Sequence, residues 1–289
     1  MKKLIFAFCI LFPLSLCAQK TIYLPEKGGN GIEKAETVGT YGQIYDITEP
    51  RIDVYLPNQI TKNQKPETKN QKPVPMILVC PGGAYKYASC GNEGKYVAEW
   101  AMQQRIAVAV LKYRMPNGHE NIPLSDALAA MRILRDSAQV WNLIPDKIGV
   151  MGFSAGGHLA GSLTTMYVDK RTRPDFSVLV YPVLSMKDDT HQTTRRLLLG
   201  EDFTEMQVAK WHLLNNITTD TPPCFIIACQ DDKVVPVSNS IDFYSALTRN
   251  NVPAELLILP TGGHGFGFQR EIPQTSVFRE ALLHWLQEL

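Results

Sequence analysis

The residues best suited to chemistry are Gly152-Phe153-Ser154-Ala155-Gly156. Glycines two residues to either side let the chain turn more sharply at a serine than side chains there would allow, and the turn exposes the hydroxyl. That hydroxyl attacks only when a neighbouring base takes its proton. Of the 6 histidines, His264 sits in the glycine-rich loop Pro260-Thr-Gly-Gly-His-Gly-Phe-Gly267, which can reach back over a preceding element. His158 competes by proximity. It lies about one helical turn beyond Ser154, however, with its ring directed along the helix, and it reads as scaffold. His119, His191, His212 and His284 carry no supporting pattern. An imidazole acting as base needs a carboxylate to fix its tautomer. Cys229-Gln-Asp-Asp-Lys-Val-Val-Pro236 offers Asp232, with Asp231 as the fallback. Negative charge growing on a carbonyl oxygen would need two backbone N–H groups. Ala155 supplies one, and Gly83 or Ala84 in Cys80-Pro-Gly-Gly-Ala-Tyr85 the other.

These groups lie far apart in the chain, so strands and helices must gather them. From Thr37 to Leu56 apolar residues alternate with polar ones, as in antiparallel strands. From Val74 onward, short and nearly all-apolar strands alternate with helices. Strands are expected at 74–80, 106–113, 147–153, 176–183, 224–229 and 254–259, and helices at 94–104, 124–141, 155–167, 240–249 and 276–286. Strands without a polar face imply a mostly parallel sheet covered on both sides, an α/β fold. Ser154, Asp232, His264 and the Gly83 loop all follow a strand in this reading. Ser185 to Asn216 breaks the rhythm and is expected to form a small cap insertion beside a pocket. Residues 19–289 read as one domain.

Lys and Arg total 29 against 28 for Asp and Glu, which leaves no broad field for nucleic acid or an anionic membrane. Lys2 and Lys3 precede an apolar run from Leu4 to Leu16, and Cys17-Ala18 then meets Gln19. The run is too short to span a bilayer, so residues 1–18 read as a secretory signal cleaved after Ala18. The expected product is a periplasmic or extracellular protein, free of the membrane. Cys80, Cys90, Cys224 and Cys229 remain after cleavage; their spacing is neither a disulfide framework nor a metal site. No cofactor is expected. Thr61-Lys-Asn-Gln-Lys-Pro66 recurs as Thr68-Lys-Asn-Gln-Lys-Pro73, a polar duplication suited to a solvated loop.

The order serine, acid, histidine is that of the α/β-hydrolases. The chain resembles their acetyl-xylan esterase-like and feruloyl-esterase-like branch, near the hormone-sensitive-lipase-like esterases. The resemblance rests on Cys80-Pro-Gly-Gly-Ala-Tyr85, Asn92-Glu-Gly94, Leu111-Lys-Tyr-Arg114, the segment Gly149 to His158, Asp231-Asp-Lys-Val-Val-Pro236 and Gly262-Gly-His-Gly-Phe266. Where lipase-like relatives carry His-Gly-Gly-Gly, this chain has Pro81 first and Ala84 last. The resemblance implies hydrolysis of esters, acetyl foremost, on oligosaccharides from plant cell walls. Two other readings share the motifs: a dipeptidyl-peptidase-like serine peptidase, which usually brings a propeller domain, and a non-catalytic binder on a hydrolase scaffold, which usually lacks a triad member.

Overall fold

The computed structural model describes residues 20–57, 72–268 and 272–289. The apolar N-terminal run, and all of the hexapeptide duplication except Lys72-Pro73, lie outside the described residues.

Eleven strands form two sheets among the described residues. They are β1 (Lys20–Tyr23), β2 (Thr37–Val38), β3 (Gln43–Tyr45), β4 (Arg51–Tyr55), β5 (Val74–Cys80), β6 (Tyr87–Ser89), β7 (Ala107–Lys112), β8 (Leu143–Phe153), β9 (Ser177–Val180), β10 (Cys224–Cys229) and β11 (Ala254–Leu259). The helices are α1 (Tyr96–Gln103), α2 (Ile122–Ser137), α3 (Ser154–Thr165), α4 (Gln192–Leu199), α5 (Glu205–Trp211), α6 (Ser238–Arg249) and α7 (Pro273–Glu288).

The main sheet runs β1-β4-β7-β5-β8-β9-β10-β11. From β7 to β11 every pair is parallel, and β4 and β1 add to that block antiparallel. Along β5 the side chains divide by parity: Met76 and Leu78 enter one core with α2, α3 and α6, and Ile77 and Val79 enter the other with α1 and α7. Both faces are therefore dry, which is why these strands carry no polar alternation. The antiparallel segment expected at 37–56 is split. β2 and β3 pair with β6 in a separate small sheet, while β4 joins the main one, where Ile52 and Val54 are fully buried. The helix expected from Gly94 begins instead with a π-helical turn over Gly91–Lys95, and α1 follows it.

The cap insertion is two short helices, α4 and α5, with a 3₁₀ turn at Leu213–Asn216. It is fastened along its length. The N–H groups of Leu184 and Ser185 donate to Asn239 Oδ1 on α6, and Asn239 Nδ2 returns a bond to the Asp189 carbonyl. The Gly118 N–H donates to the Leu197 carbonyl. Trp211, buried at the end of α5, accepts a hydrogen bond at its carbonyl from His158 Nε2 at 3.0 Å.

Candidate active site

β8 ends at Phe153, α3 begins at Ser154, and Ser154 itself carries the strain of the turn, with φ at +54°. A side chain in that left-handed region costs on the order of 1–2 kcal/mol and persists only where its surroundings enforce it. The enforcement is tight packing around glycine. A Cβ on Gly156 would collide with the carbonyls of Cys80 and Pro81, and one on Gly152 with the Gly156 carbonyl. The loop after β5 is pressed against the same turn, since a Cβ on Gly82 would stand 3.0 Å from Ser154 Cβ.

The three expected side chains meet. His264 Nε2 lies 2.8 Å from Ser154 Oγ, and His264 Nδ1 lies 2.7 Å from Asp232 Oδ2. A charged carboxylate only accepts, so Nδ1–H donates to Asp232 and Nε2 is left to accept from the serine hydroxyl. Asp232 Oδ1 is occupied by the N–H groups of Val234 and Val235, at 2.8 and 3.0 Å. Burial opposes charge on Asp232, but His264 and those two N–H groups outweigh it and hold the carboxylate below its usual range. Asp231 serves the loop rather than the ring. Its oxygens accept from the N–H groups of Gly263 and Gly262 and so anchor the segment that carries His264.

The loop over Gly83, Ala84 and Tyr85 has three consecutive left-handed residues, at φ +128°, +57° and +61°. A Cβ on Gly83 would overlap the Tyr87 carbonyl, so this position admits only glycine. Among the described residues the N–H groups of Gly83 and Ala84 have no hydrogen-bond partner, whereas the Gly82 N–H is taken by Glu93 Oε2 at 2.7 Å. Ala155 lies in the first turn of α3, where backbone N–H groups have no partner within the helix.

Glu93 was not singled out by sequence reasoning. It lies in the π-helical turn, 5% exposed; one oxygen takes the Gly82 N–H and the other the Tyr181 hydroxyl at 2.7 Å. Tyr181 in turn packs its ring against His264, with centroids 4.8 Å apart. Burial raises the Glu93 carboxyl despite both hydrogen bonds. Its neighbour Asn92 donates to the Gly265 carbonyl at 3.4 Å. One turn thus ties the Gly82 loop to the histidine loop. The only signal in the sequence was the Asn92-Glu-Gly94 block, whose partners lie up to 173 residues away. His191, at the entrance to α4, is also near the site: burial lowers its pKa, and the charge of His264 adds to the effect.

His158 is fully buried with both nitrogens used, Nδ1 by the Tyr85 hydroxyl at 2.9 Å and Nε2 by the Trp211 carbonyl. It is the scaffold residue that its position suggested. Burial pushes its pKa down from 6.5 to about 4. The folded protein therefore refuses a proton that the unfolded chain accepts. Stability from this group is complete above pH 6.5 and is lost as pH falls to about 4. The loss should be on the order of 3 kcal/mol. Urea unfolding across that range should show the decline in wild type, and a shallower one in His158→Gln. Among the described residues Cys80, Cys90, Cys224 and Cys229 are free thiols, and burial raises the pKa of each.

A sequence profile of the BD-FAE family matches residues 52–247, which takes in Ser154 and Asp232 and stops short of His264. An acetylxylan esterase of Xylanibacter ruminicola is 38% identical over 218 residues, which cover 74% of this chain and 45% of that protein. An endo-1,4-beta-xylanase B of Butyrivibrio fibrisolvens is 35% identical over 203 residues, 65% of this chain and 32% of that one. The chain thus spans less than half the length of these two relatives. A solved acetyl ester-xyloside bifunctional hydrolase from Caldicellulosiruptor lactoaceticus superposes with a TM-score of 0.75 at 31% identity, covering 96% of this chain and 98% of that one. With the profile spanning most of the parallel sheet, and this solved relative matching nearly from end to end, the chain belongs to the BD-FAE family of α/β-hydrolase esterases.

Proposed function

We propose that this protein is an exported serine esterase, folded as one domain over residues 19–289, that removes ester groups, acetyl foremost, from xylan fragments. The observation that carries the reading is the unbroken line of short contacts from Ser154 Oγ through His264 to Asp232. His264 takes the hydroxyl proton as Ser154 attacks the ester carbonyl. Gly83 or Ala84 and Ala155 offer N–H groups to the oxygen that becomes negative. His264 then protonates the leaving sugar alcohol, and the acyl group stays on Ser154. Water, deprotonated by His264, releases the acid and restores the serine. Relatives named for acetylxylan and xylan chemistry support the substrate class. Residues 1–18 support export, and no helix among the described residues is long and apolar enough to cross a membrane.

A fluorophosphonate probe should label the wild-type protein and not Ser154→Ala. Acetate release from acetylated xylo-oligosaccharides should far exceed cleavage of dipeptide anilides; the reverse preference would make it a peptidase, and no labelling of folded wild type would make it a binder.

Glu93 is proposed to position the Gly82 loop and, through Tyr181, the base. Glu93→Ala strands a buried N–H and a buried hydroxyl, which should cost about 1–3 kcal/mol of stability for each. It should also lower kcat by about a hundredfold, the scale of losing one oxyanion donor. Glu93→Gln keeps an acceptor for the Gly82 N–H but meets the Tyr181 hydroxyl with a donor where it had an acceptor, so it should restore only part of both. Steady-state kinetics and thermal unfolding of the two variants check this.

A further inference from the structure

Beside the Gly83 loop lies a cavity of about 440 Å³ that the triad and its oxyanion donors do not use. Its volume falls in the range of about 300–1,000 Å³ typical of small-molecule sites. Tyr85 and Lys86 form one wall, directly after Ala84 in the chain, so the Cα of Tyr85 lies within about 7 Å of that of the proposed oxyanion donor Gly83. The other walls come from Gly31 to Lys34, from Asp46, from Met115 and Asn117 after β7, and from Leu197 of the cap.

Two features mark it as built. First, the coil that supplies Glu33 and Lys34 has no strand or helix over residues 24–36, yet buried polar groups hold it. Arg114, itself buried and paired with Asp126 at 2.6 Å, donates to the Gly28 carbonyl and to Glu26. Asn30, fully buried, donates to the carbonyls of Ile47 and Met115, and Asn117 donates to the Asn30 carbonyl. Second, Tyr85 holds left-handed backbone at φ 61°, which is strained for an aromatic residue, and Asp46 and Asn117, whose side chains tolerate that region, adopt it beside the same cavity. Strain of this kind gathers at ligand sites.

The chemistry of the lining is specific. Glu33, Lys34 and Lys86 stand exposed at the cavity's rim and Asp46 is half-buried, and none of the four has an ion pair or a side-chain hydrogen bond among the described residues. Two carboxylates and two ammonium groups cancel, so the cavity attracts neither anions nor cations as a class. They do present separated acceptors and donors, which suit hydroxyl groups that both give and take hydrogen bonds. Met115 and Leu197 add apolar surface for C–H faces. An acetyl group needs no space of this size, so the cavity serves the alcohol side of the ester.

We propose that this cavity is a subsite for a neutral sugar chain, holding the oligosaccharide whose ester group is presented to Ser154. The proposal rests on the esterase reading for its substrate class, so its test does not depend on turnover. Unacetylated xylotriose is titrated calorimetrically into wild type, Glu33→Gln/Lys34→Gln and Leu197→Trp, which fills the cavity; circular dichroism confirms that each is folded. Binding by wild type, weakened at least tenfold in both variants, supports the subsite. No binding by wild type, or equal binding by either variant, overturns it. Acetate release from acetylated xylotriose is measured separately, and its absence alongside specific xylotriose binding would sink the esterase reading while leaving the subsite standing.

Discussion

Ser154→Ala should lower kcat on p-nitrophenyl acetate by a factor on the order of 10⁶, the loss seen when a triad nucleophile is removed while the oxyanion donors remain. The variant should still fold, because the hydrogen bond it gives up is the one from Ser154 Oγ to His264, which is partly open to solvent. A companion variant separates chemistry from strain. Alanine inherits the φ of +54° at this position, and glycine adopts it freely. Ser154→Gly should therefore be equally inactive yet unfold a few degrees higher than Ser154→Ala, given the ~2–4 °C that each kcal/mol moves Tm in chains of comparable size. Differential scanning calorimetry of the pair reads this directly. An equal or lower Tm for the glycine variant would mean that the turn is unstrained.

Asp232→Asn should lower kcat by about 10⁴, for a reason that the hydrogen bonds dictate. Val234 and Val235 both donate to Oδ1, so the asparagine must keep its oxygen there and turn its NH₂ toward His264. An NH₂ donates to Nδ1, which forces the ring proton onto Nε2, and an Nε2 that bears a proton cannot accept one from Ser154. Shape is preserved while the tautomer is reversed. Asp231→Asn is the control: it keeps one of two acceptors for the histidine loop and leaves Asp232 charged, so its loss should stay within about tenfold. Stopped-flow or steady-state kinetics at neutral pH compares the two. Similar losses in both would return the acid role to Asp231.

The central sheet was readable because its inner strands need no polar face: 224–229 coincides residue for residue with β10, buried throughout, and 254–259 with β11 at the edge, where Glu255 and Ile258 are exposed. The nucleophile turn was readable for the same local reason, since glycine spacing and strand–helix context sit within a few residues. Other features depend on partners far away in sequence. Tyr87-Ala-Ser89 looks like loop and becomes a strand only because Gln43–Tyr45 lies beside it. Asp231 and Asp232 are chemically identical neighbours, and only the folded loop assigns one to the imidazole and the other to glycine N–H groups. Glu93 is one acid among 28 acidic residues until folding brings it to Gly82 and Tyr181.

The segment between β9 and β10 is held at several points at once. To swing outward like a door it would have to pull the Trp211 carbonyl from His158, and Leu184 and Ser185 from Asn239. Each buried group stranded that way costs about 1–3 kcal/mol. The doorway is thus propped at one width. On the function proposed above, an arriving ester would meet a fixed outline rather than a moving lid.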